Sequence, residues 1–249
     1  MRRKQHSLKQ GWGFISTTML ALVCLSVQAE TLQVVTEDSS YSSLQDGKVV
    51  GPASEVVEKL LAAAGVKDYH MALYPWARAY DMARLEPNVM IYPILRSSER
   101  EPLFKWVGEL DQVTPLFYKL RERHDVVIKD LTDARKYAVG VVRDDSRQEY
   151  LAGQKFSRLV VSANNLDNLR KLLSGQVALV PMPEREAREQ CEELHIAFDQ
   201  LESVYTLDEL SKGLYVALSL KTPADTVQRV TTAFARLKDD GTVARAMAR

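Results

Sequence analysis

The sequence is poor in the residues that most metal and nucleophilic chemistry relies on. It has two cysteines and four histidines in 249 residues. His6 and Cys24 fall near the N-terminus, and His70, His124 and His195 lie far apart, with no partner at metal-ligand spacing. There is no HExxH, no cysteine pair and no Walker loop, and the turn at Thr36 to Ser40 is not glycine-rich. Ser39 and Ser40 have no recognisable His/Asp constellation beside them. Charge of one sign is missing too, since 33 basic residues face 33 acidic ones. Setting aside residues 1–29, which carry four basic and no acidic side chains, leaves a formal charge of −4. That balance gives no electrostatic footprint for nucleic acid and no basic amphipathic helix for a membrane surface. The absences leave hydrolase, phosphate-loop, metal-dependent and nucleic-acid-binding chemistry unsupported, and no cofactor is implied.

A run of about 20 apolar residues is also lacking. Phe14 to Val27 is apolar but interrupted by Ser16, Thr17 and Thr18, too short for a membrane span. With Arg2, Arg3, Lys4 and Lys9 before it and Val27-Gln28-Ala29 after it, the segment 1–29 reads as a cleavable secretory signal peptide. A lipidated Cys24 is the alternative, disfavoured by the bulk of Val23 before it. Cleavage leaves Cys191 alone, so no internal disulfide forms and the fold rests on its core.

What is present is alternation. Leu32 to Thr36 reads as a strand, Asp46-Gly47 as a turn, Pro52 to Ala64 as a helix, Tyr69 to Tyr74 as a strand, Pro75 to Arg84 as a helix and Val89 to Ile94 as a strand. A second series follows Arg123, with strands at Tyr137 to Val142, Arg158 to Val161 and Val177 to Pro181. Helices are read at Lys129 to Ala134, Ser146 to Ala152, Leu166 to Leu173 and Pro183 to Cys191. An extended run, Gly213 to Leu220, and two helical runs, Pro223 to Lys238 and Gly241 to Ala248, end the chain. Such alternation predicts mainly parallel sheets covered by helices. Phe104 to Leu120 and Leu201 to Leu207 are extended; if the last segment returns to the first unit, two strands cross between lobes over a cleft suited to a small ligand.

Arginines and aromatics cluster in LYPWARAY, Leu73 to Tyr80, and RSSERE, Arg96 to Glu101. Arg96 and Arg100 are four apart, and Ser97 and Ser98 stand ready to cap a short helix. A helix N-terminus beside a forked guanidinium suits a carboxylate or phosphate, and Trp76 offers a flat apolar face. The competing reading has these arginines pairing on the surface with Glu99, Glu101 and Asp81.

The order TEDSSYSSLQDGKVVGPASEVVEKLLAAAG, YPWARAY, RSSEREPLFKWVG, YAVGVVRDDSRQEYL and NLRKLLSGQVALV resembles the periplasmic solute-binding proteins of the amino-acid ABC transporter class, in a divergent branch with PWxRAY and RxxERExxFxWVG signatures. The resemblance implies a type II periplasmic binding protein-like α/β fold, with two lobes joined by two crossover strands and closing by hinge motion. Lobe 1 would hold residues 30–112 and 211–249, and lobe 2 residues 113–210. Arg100 would grip the ligand carboxylate near Leu95 and Ser97, with Arg78 and Arg96 as supports. Glu37, Tyr41 and Trp76 would line the pocket, and Arg143, Ser146 and Arg147 would close from the second lobe. The chain departs from the pattern at PMPEREA, where an aspartate commonly holds the ligand ammonium and Glu184 is the candidate substitute. Leu95 and Pro93 also depart from the usual threonine and glycine.

The expectation is a monomeric periplasmic binding protein, not an enzyme, that captures a small polar, carboxylate-bearing ligand, an amino acid or a related molecule, for the membrane permease of an ABC transporter. The alternatives are a cyclic carboxylate dehydratase on the same fold, with Glu37 or Glu184 as its acid, and the ligand-sensing partner of a signalling receptor.

Overall fold

The computed structural model describes residues 31–248, so the expected signal peptide at 1–29 lies outside the described residues. The chain begins with strand β1 (Leu32–Thr36), the hairpin of β2 (Ser43–Gln45) and β3 (Lys48–Val50), helix α1 (Pro52–Ala63), β4 (Tyr69–Leu73), α2 (Trp76–Leu85) and β5 (Val89–Leu95). Asp46 and Gly47 both adopt positive φ, 49° and 77°. That pair of left-handed residues is what a two-residue hairpin turn demands, so the segment read as a simple turn is a β-hairpin. Helix α1 starts at Pro52, whose missing N–H costs nothing at a helix start. It buries Ala53, Val56, Val57, Leu60 and Leu61, the spacing that puts side chains on one face.

No helix forms at the RSSERE segment. Backbone bonds from Arg100 and Glu101 to the Ser97 carbonyl make a turn, a single 3-10 turn spans Glu101–Leu103, and β6 (Phe104–Val113) starts at once. Pro102 has no N–H to donate, and Phe104 is drawn into the core at 4% exposure. The chain then runs through β7 (Leu116–Leu120), α3 (Leu131–Ala134), β8 (Val139–Val142), α4 (Ser146–Gly153), β9 (Leu159–Ser162), α5 (Asn165–Leu173), β10 (Val180–Met182), α6 (Glu184–Glu193) and β11 (Leu201–Thr206). It ends with β12 (Lys212–Ser219), α7 (Ala224–Asp239) and α8 (Thr242–Met247).

Five strands form one sheet in the order β4-β1-β5-β12-β6. The first three are parallel, but β12 runs antiparallel to both β5 and β6, so the expected mainly parallel sheet is mixed. A core of Val34, Leu60, Leu61, Met90, Val216 and Phe234 fills the face under α1, α7 and α8. Ala79, Tyr80, Ile91 and Ala217 fill the face under α2. Apolar residues on both faces of β5, all buried, are what a central strand between two helical layers requires. The second group is antiparallel, β10-β7-β11, with the parallel pair β8-β9 attached through the Val139–Leu179 bridge. Two further apolar cores, around Phe117 and Leu151 and around Leu169 and Val180, hold that group together.

The chain passes from the first sheet to the second between β6 and β7, and returns between β11 and β12. The two passages are tied side by side: Leu207 N–H donates to the Pro115 carbonyl at 2.9 Å, and the hydroxyls of Thr114 and Ser211 are hydrogen-bonded at 2.7 Å. Two adjacent crossings of this kind make a hinge.

Gly108 in β6 lies against α7 so closely that a β-carbon there would overlap the Phe234 ring. Phe234 is 2% exposed and has nowhere to move. Gly108→Ala is expected to lower stability by about 1–3 kcal/mol, the usual cost of overpacking a core. Urea denaturation measures it, and an unchanged midpoint would show that α7 shifts freely on the sheet.

Candidate functional site

Polar side chains from both lobes converge where the lobes face each other beside the hinge. Glu37, Ser39, Ser40, Tyr41, Trp76, Pro93, Leu95, Arg100 and Leu214 line the cavity from the first lobe, and Asp145, Ser146, Arg147, Asn165, Pro183 and Glu186 from the second. Val113 and Pro115, on the first crossing, close its hinge side. Loops that follow strands and the first turns of helices supply most of these residues. Glu37 follows β1, Leu95 ends β5, and Asp145 and Glu186 sit at the first turns of α4 and α6.

One carbonyl receives two donors from across the cleft. Asp144 adopts a left-handed φ of 57°, a conformation that aspartate tolerates better than most residues. Its carbonyl oxygen accepts from Trp76 Nε1 at 2.8 Å and from Arg100 Nη2 at 3.1 Å, both from the opposite lobe. Arg100 Nη2 also reaches Glu149 Oε2 at 3.2 Å. The guanidinium lies over the rings of Tyr80 and Trp76, 4.8 and 5.4 Å from their centroids, and Arg100 is only 1% exposed. Arg100 Nε, buried, has no hydrogen-bond partner, so the group keeps donor capacity. Burial raises the Glu149 carboxyl while the Arg100 charge and hydrogen bond draw it back. On the far side of the cleft, Arg185 lies over the Tyr41 ring and donates to the Met247 carbonyl at 3.1 Å.

Arg147 organises the second lobe's wall. The Asp145 side chain caps α4 by accepting from Arg147 N at 2.8 Å and also takes the guanidinium at 2.6 and 3.2 Å. Arg147 Nη1 extends to the Pro181 carbonyl at 3.2 Å and to Glu186 at 3.4 Å. Glu186 accepts from Asn165 Nδ2 at 2.7 Å. Burial acts to raise Asp145, but the charge and hydrogen bonds of Arg147, and Arg100 behind it, hold its carboxyl below the usual value. Glu186 is raised by burial, with Arg147 and Asn165 opposing and Asp145 adding to the rise. Glu37 is pushed up to about 8, by burial first and then by the negative charges of Asp145 and Glu186, against the pull of Arg147.

Of the residues expected from sequence, Glu37, Tyr41, Trp76, Arg100, Ser146 and Arg147 line this cavity. Five others do not. Arg96 is engaged by Glu101 in a bidentate pair at 2.7 and 2.6 Å, lying over Trp106 and Tyr215 on the outer surface. This is the surface-pairing alternative. Arg78 is exposed and stacks over Tyr74 at 4.4 Å. Ser97 Oγ accepts from Arg100 N at 3.3 Å and so supports the turn. Arg143 is exposed, with its backbone N–H donating to Ser162. Glu184 is paired with Arg188 on the surface of α6. Two residues along that helix is about 200° of rotation, which turns Glu186 inward instead. Sequence reasoning missed Glu186 and Asn165. The PMPEREA segment contains Glu186, but only its partnership with Arg147, 39 residues earlier, marks it as buried.

Arg147→Met removes the one cation between two buried carboxylates. Stability at pH 7 is expected to fall by about 3 kcal/mol, the range for breaking a buried pair from one side. In the native chain Asp145 is held low, so its stabilisation is present above the ordinary carboxylate value and lost as pH falls through the lowered one. The variant's carboxyls take up protons as pH falls, so its deficit is expected to shrink towards about pH 4. Urea denaturation at both pH values checks this; an equal deficit at each would assign the loss to packing.

No protein-family model matches the chain, and no curated protein sequence matches it. Solved structures do. A histidine kinase sensor domain with similarity to periplasmic binding proteins superposes with a TM-score of 0.77 at 19% identity, covering 88% of this chain and 95% of that one. An ancestral arginine-binding protein bound to arginine gives 0.73 at 16% identity, covering 87% and 96%. The arginine-, lysine-, histidine-binding protein ArtJ from the thermophilic bacterium Geobacillus stearothermophilus gives 0.73 at 17%, covering 87% and 93%. At these identities the likeness shows the fold: a type II periplasmic binding protein fold, two α/β lobes joined by two crossover strands.

Proposed function

We propose that the chain is an exported solute-binding protein that captures a small amino-acid-like solute between its lobes and presents it to the permease of an ABC transporter. The observation that carries this reading is the cavity at the hinge. Both lobes contribute buried charged side chains to it, and the same few residues make the contacts across the cleft. A ligand that touches both walls favours the closed arrangement over the open one, and such differential contact is what a capture device needs. The amino-acid binders among the structural neighbours support the same solute class.

Within the cavity, Arg100 is the carboxylate grip. It is buried and forked, it rests on Trp76 and Tyr80, and it has an unused Nε–H. A carboxylate there makes charge-assisted bonds in surroundings that screen little. Trp76 supplies the flat face. The sensor domain among the neighbours supports a second reading, in which the captured solute is reported to a signalling receptor instead of a permease. The two readings share the cleft and differ in the partner that reads its closure.

Thermal-shift screening against the standard amino acids and small carboxylates, followed by calorimetric titration, tests capture. A ligand that binds only the folded chain raises its melting point. Arg100→Ala is expected to weaken the best ligand by at least about 1.5 kcal/mol, roughly tenfold or more. Undiminished affinity in a folded variant would remove Arg100 from the site, and conversion of a cyclic carboxylate in the same screen would favour an enzyme.

A further inference from the structure

Three carboxylates and one committed cation meet at the centre of the cleft. Asp145 and Glu186 belong to the second lobe, and Arg147 between them is engaged by both. Glu37 belongs to the first lobe and faces that group only because the lobes meet. Its carboxylate makes no hydrogen bond or ion pair with any described residue, whereas Asp145 and Glu186 are each directly bonded to Arg147. The other charged groups nearby bring it no relief. Asp38, beside it in the chain, adds negative charge. Arg100 is turned to Asp144 and Glu149, and Arg185 to Glu189 and the Met247 carbonyl. Tyr41 gives its hydroxyl hydrogen to Asp111 at 3.2 Å.

We infer that closing the cleft over Glu37 requires one positive charge there, supplied by a proton in the ligand-free chain and by a cationic nitrogen of the captured solute otherwise. The inference rests on the solute-capture reading and names the solute class: a molecule with a side-chain ammonium or guanidinium group placed at Glu37. The physical reason is the count of charges. In the open arrangement Glu37 faces water and ionises as an ordinary carboxyl. Closure brings it to two anions whose single counter-cation is already engaged, in surroundings that screen little. A proton removes the third negative charge, and a cation offsets it. The direction of the Glu37 shift agrees with this picture.

The consequence is a selectivity that depends on pH. A solute with a cation at Glu37 closes over the carboxylate, whereas a neutral solute of the same shape closes over the protonated acid. Whatever the unliganded chain does cancels in the ratio of the two affinities. L-Arginine and L-citrulline, which carries a neutral ureido group in place of the guanidinium, are suitable probes. In calorimetric titrations the preference for L-arginine is expected to rise by about tenfold per pH unit between about pH 5 and pH 8, because binding L-citrulline takes up about one more proton. Glu37→Gln is expected to abolish that slope. A flat ratio in the native chain, or the same slope in a Glu37→Gln variant that melts like the native chain at about pH 5, overturns the inference. If neither probe binds at any pH and the thermal-shift screen finds no other amino acid, capture of amino-acid-like solutes falls, and the ligand-free chain still decides the proton exchange. Its radius of gyration in solution scattering is expected to grow between about pH 5 and pH 8 as Glu37 loses its proton and the lobes part, with no such growth in Glu37→Gln. An unchanged native radius, or equal growth in both chains, overturns it.

Discussion

The carbonyl oxygen of Asp144 is the point through which the two lobes are positioned relative to each other. It receives Trp76 Nε1 and Arg100 Nη2 from the first lobe, and it can do so because the left-handed turn at Asp144 swings the peptide outward, just before Asp145 caps α4. Asp144 N–H is held in turn by the Gln148 side chain at 2.6 Å. The turn that presents the carbonyl therefore sets the capping carboxylate of Asp145 in place, and that carboxylate orients Arg147. Val142, at the end of β8, packs into the apolar cluster around Trp76 and Tyr80, so apolar contact accompanies the polar one. Several of the contacts across the cleft and the centre of the second lobe's charged wall thus share the stretch Val142 to Arg147.

That economy explains why the sequence disclosed some of the site and hid the rest. Strand β1 was legible as a short β-rich run and helix α1 by its 3.6-residue apolar period. The positions after β1 followed from them, and Glu37 and Tyr41 with them. Trp76 and Arg100 stood out as an aromatic and an arginine in short dense motifs. Direction was not legible: nothing in Lys212 to Ser219 says whether that strand runs with or against β5, since the direction is set by how the chain returns from the other lobe. Arg96 and Arg100 look alike in sequence, four apart, yet one pairs with Glu101 outside and the other is buried against Tyr80. The difference comes from the tight turn at Ser97 to Arg100, which replaced the helix expected there. Glu186 was hidden by a helical rotation, since its neighbour Glu184 has the same charge and is exposed.

The charges in the cleft also bear on what kind of solute fits. A pocket built only for an anion would leave its arginines without carboxylate partners. Here Arg147 is saturated by Asp145 and Glu186, and Arg100 is shared between a carbonyl, Glu149 and two aromatic faces. Among the charged side chains of the cavity, Glu37 keeps acceptor capacity and Arg100 keeps a free Nε–H. Two such groups on one lobe, with opposite preferences, match a solute that carries both a carboxylate and a cation better than a simple carboxylate.

Closure itself is finely balanced. A neutral hydrogen bond contributes about 1 kcal/mol net, and one with a charged donor about 1.5–3 kcal/mol. The Arg100–Glu149 pair adds little, because Glu149 remains 40% exposed to solvent. The contacts that the lobes make with each other therefore amount to a few kcal/mol in favour of closing. Against them stand the entropy of the hinge and the approach of Glu37 to Asp145 and Glu186. On the capture reading, contacts of this size leave room for a ligand's preference for the closed form to shift the population. A stronger set of direct contacts would close the cleft before any solute arrived, and a weaker set would take more of the ligand's binding energy to close it. The unsatisfied carboxylate at Glu37 thus works against premature closure, and it does so at the position where a bound cation would relieve it.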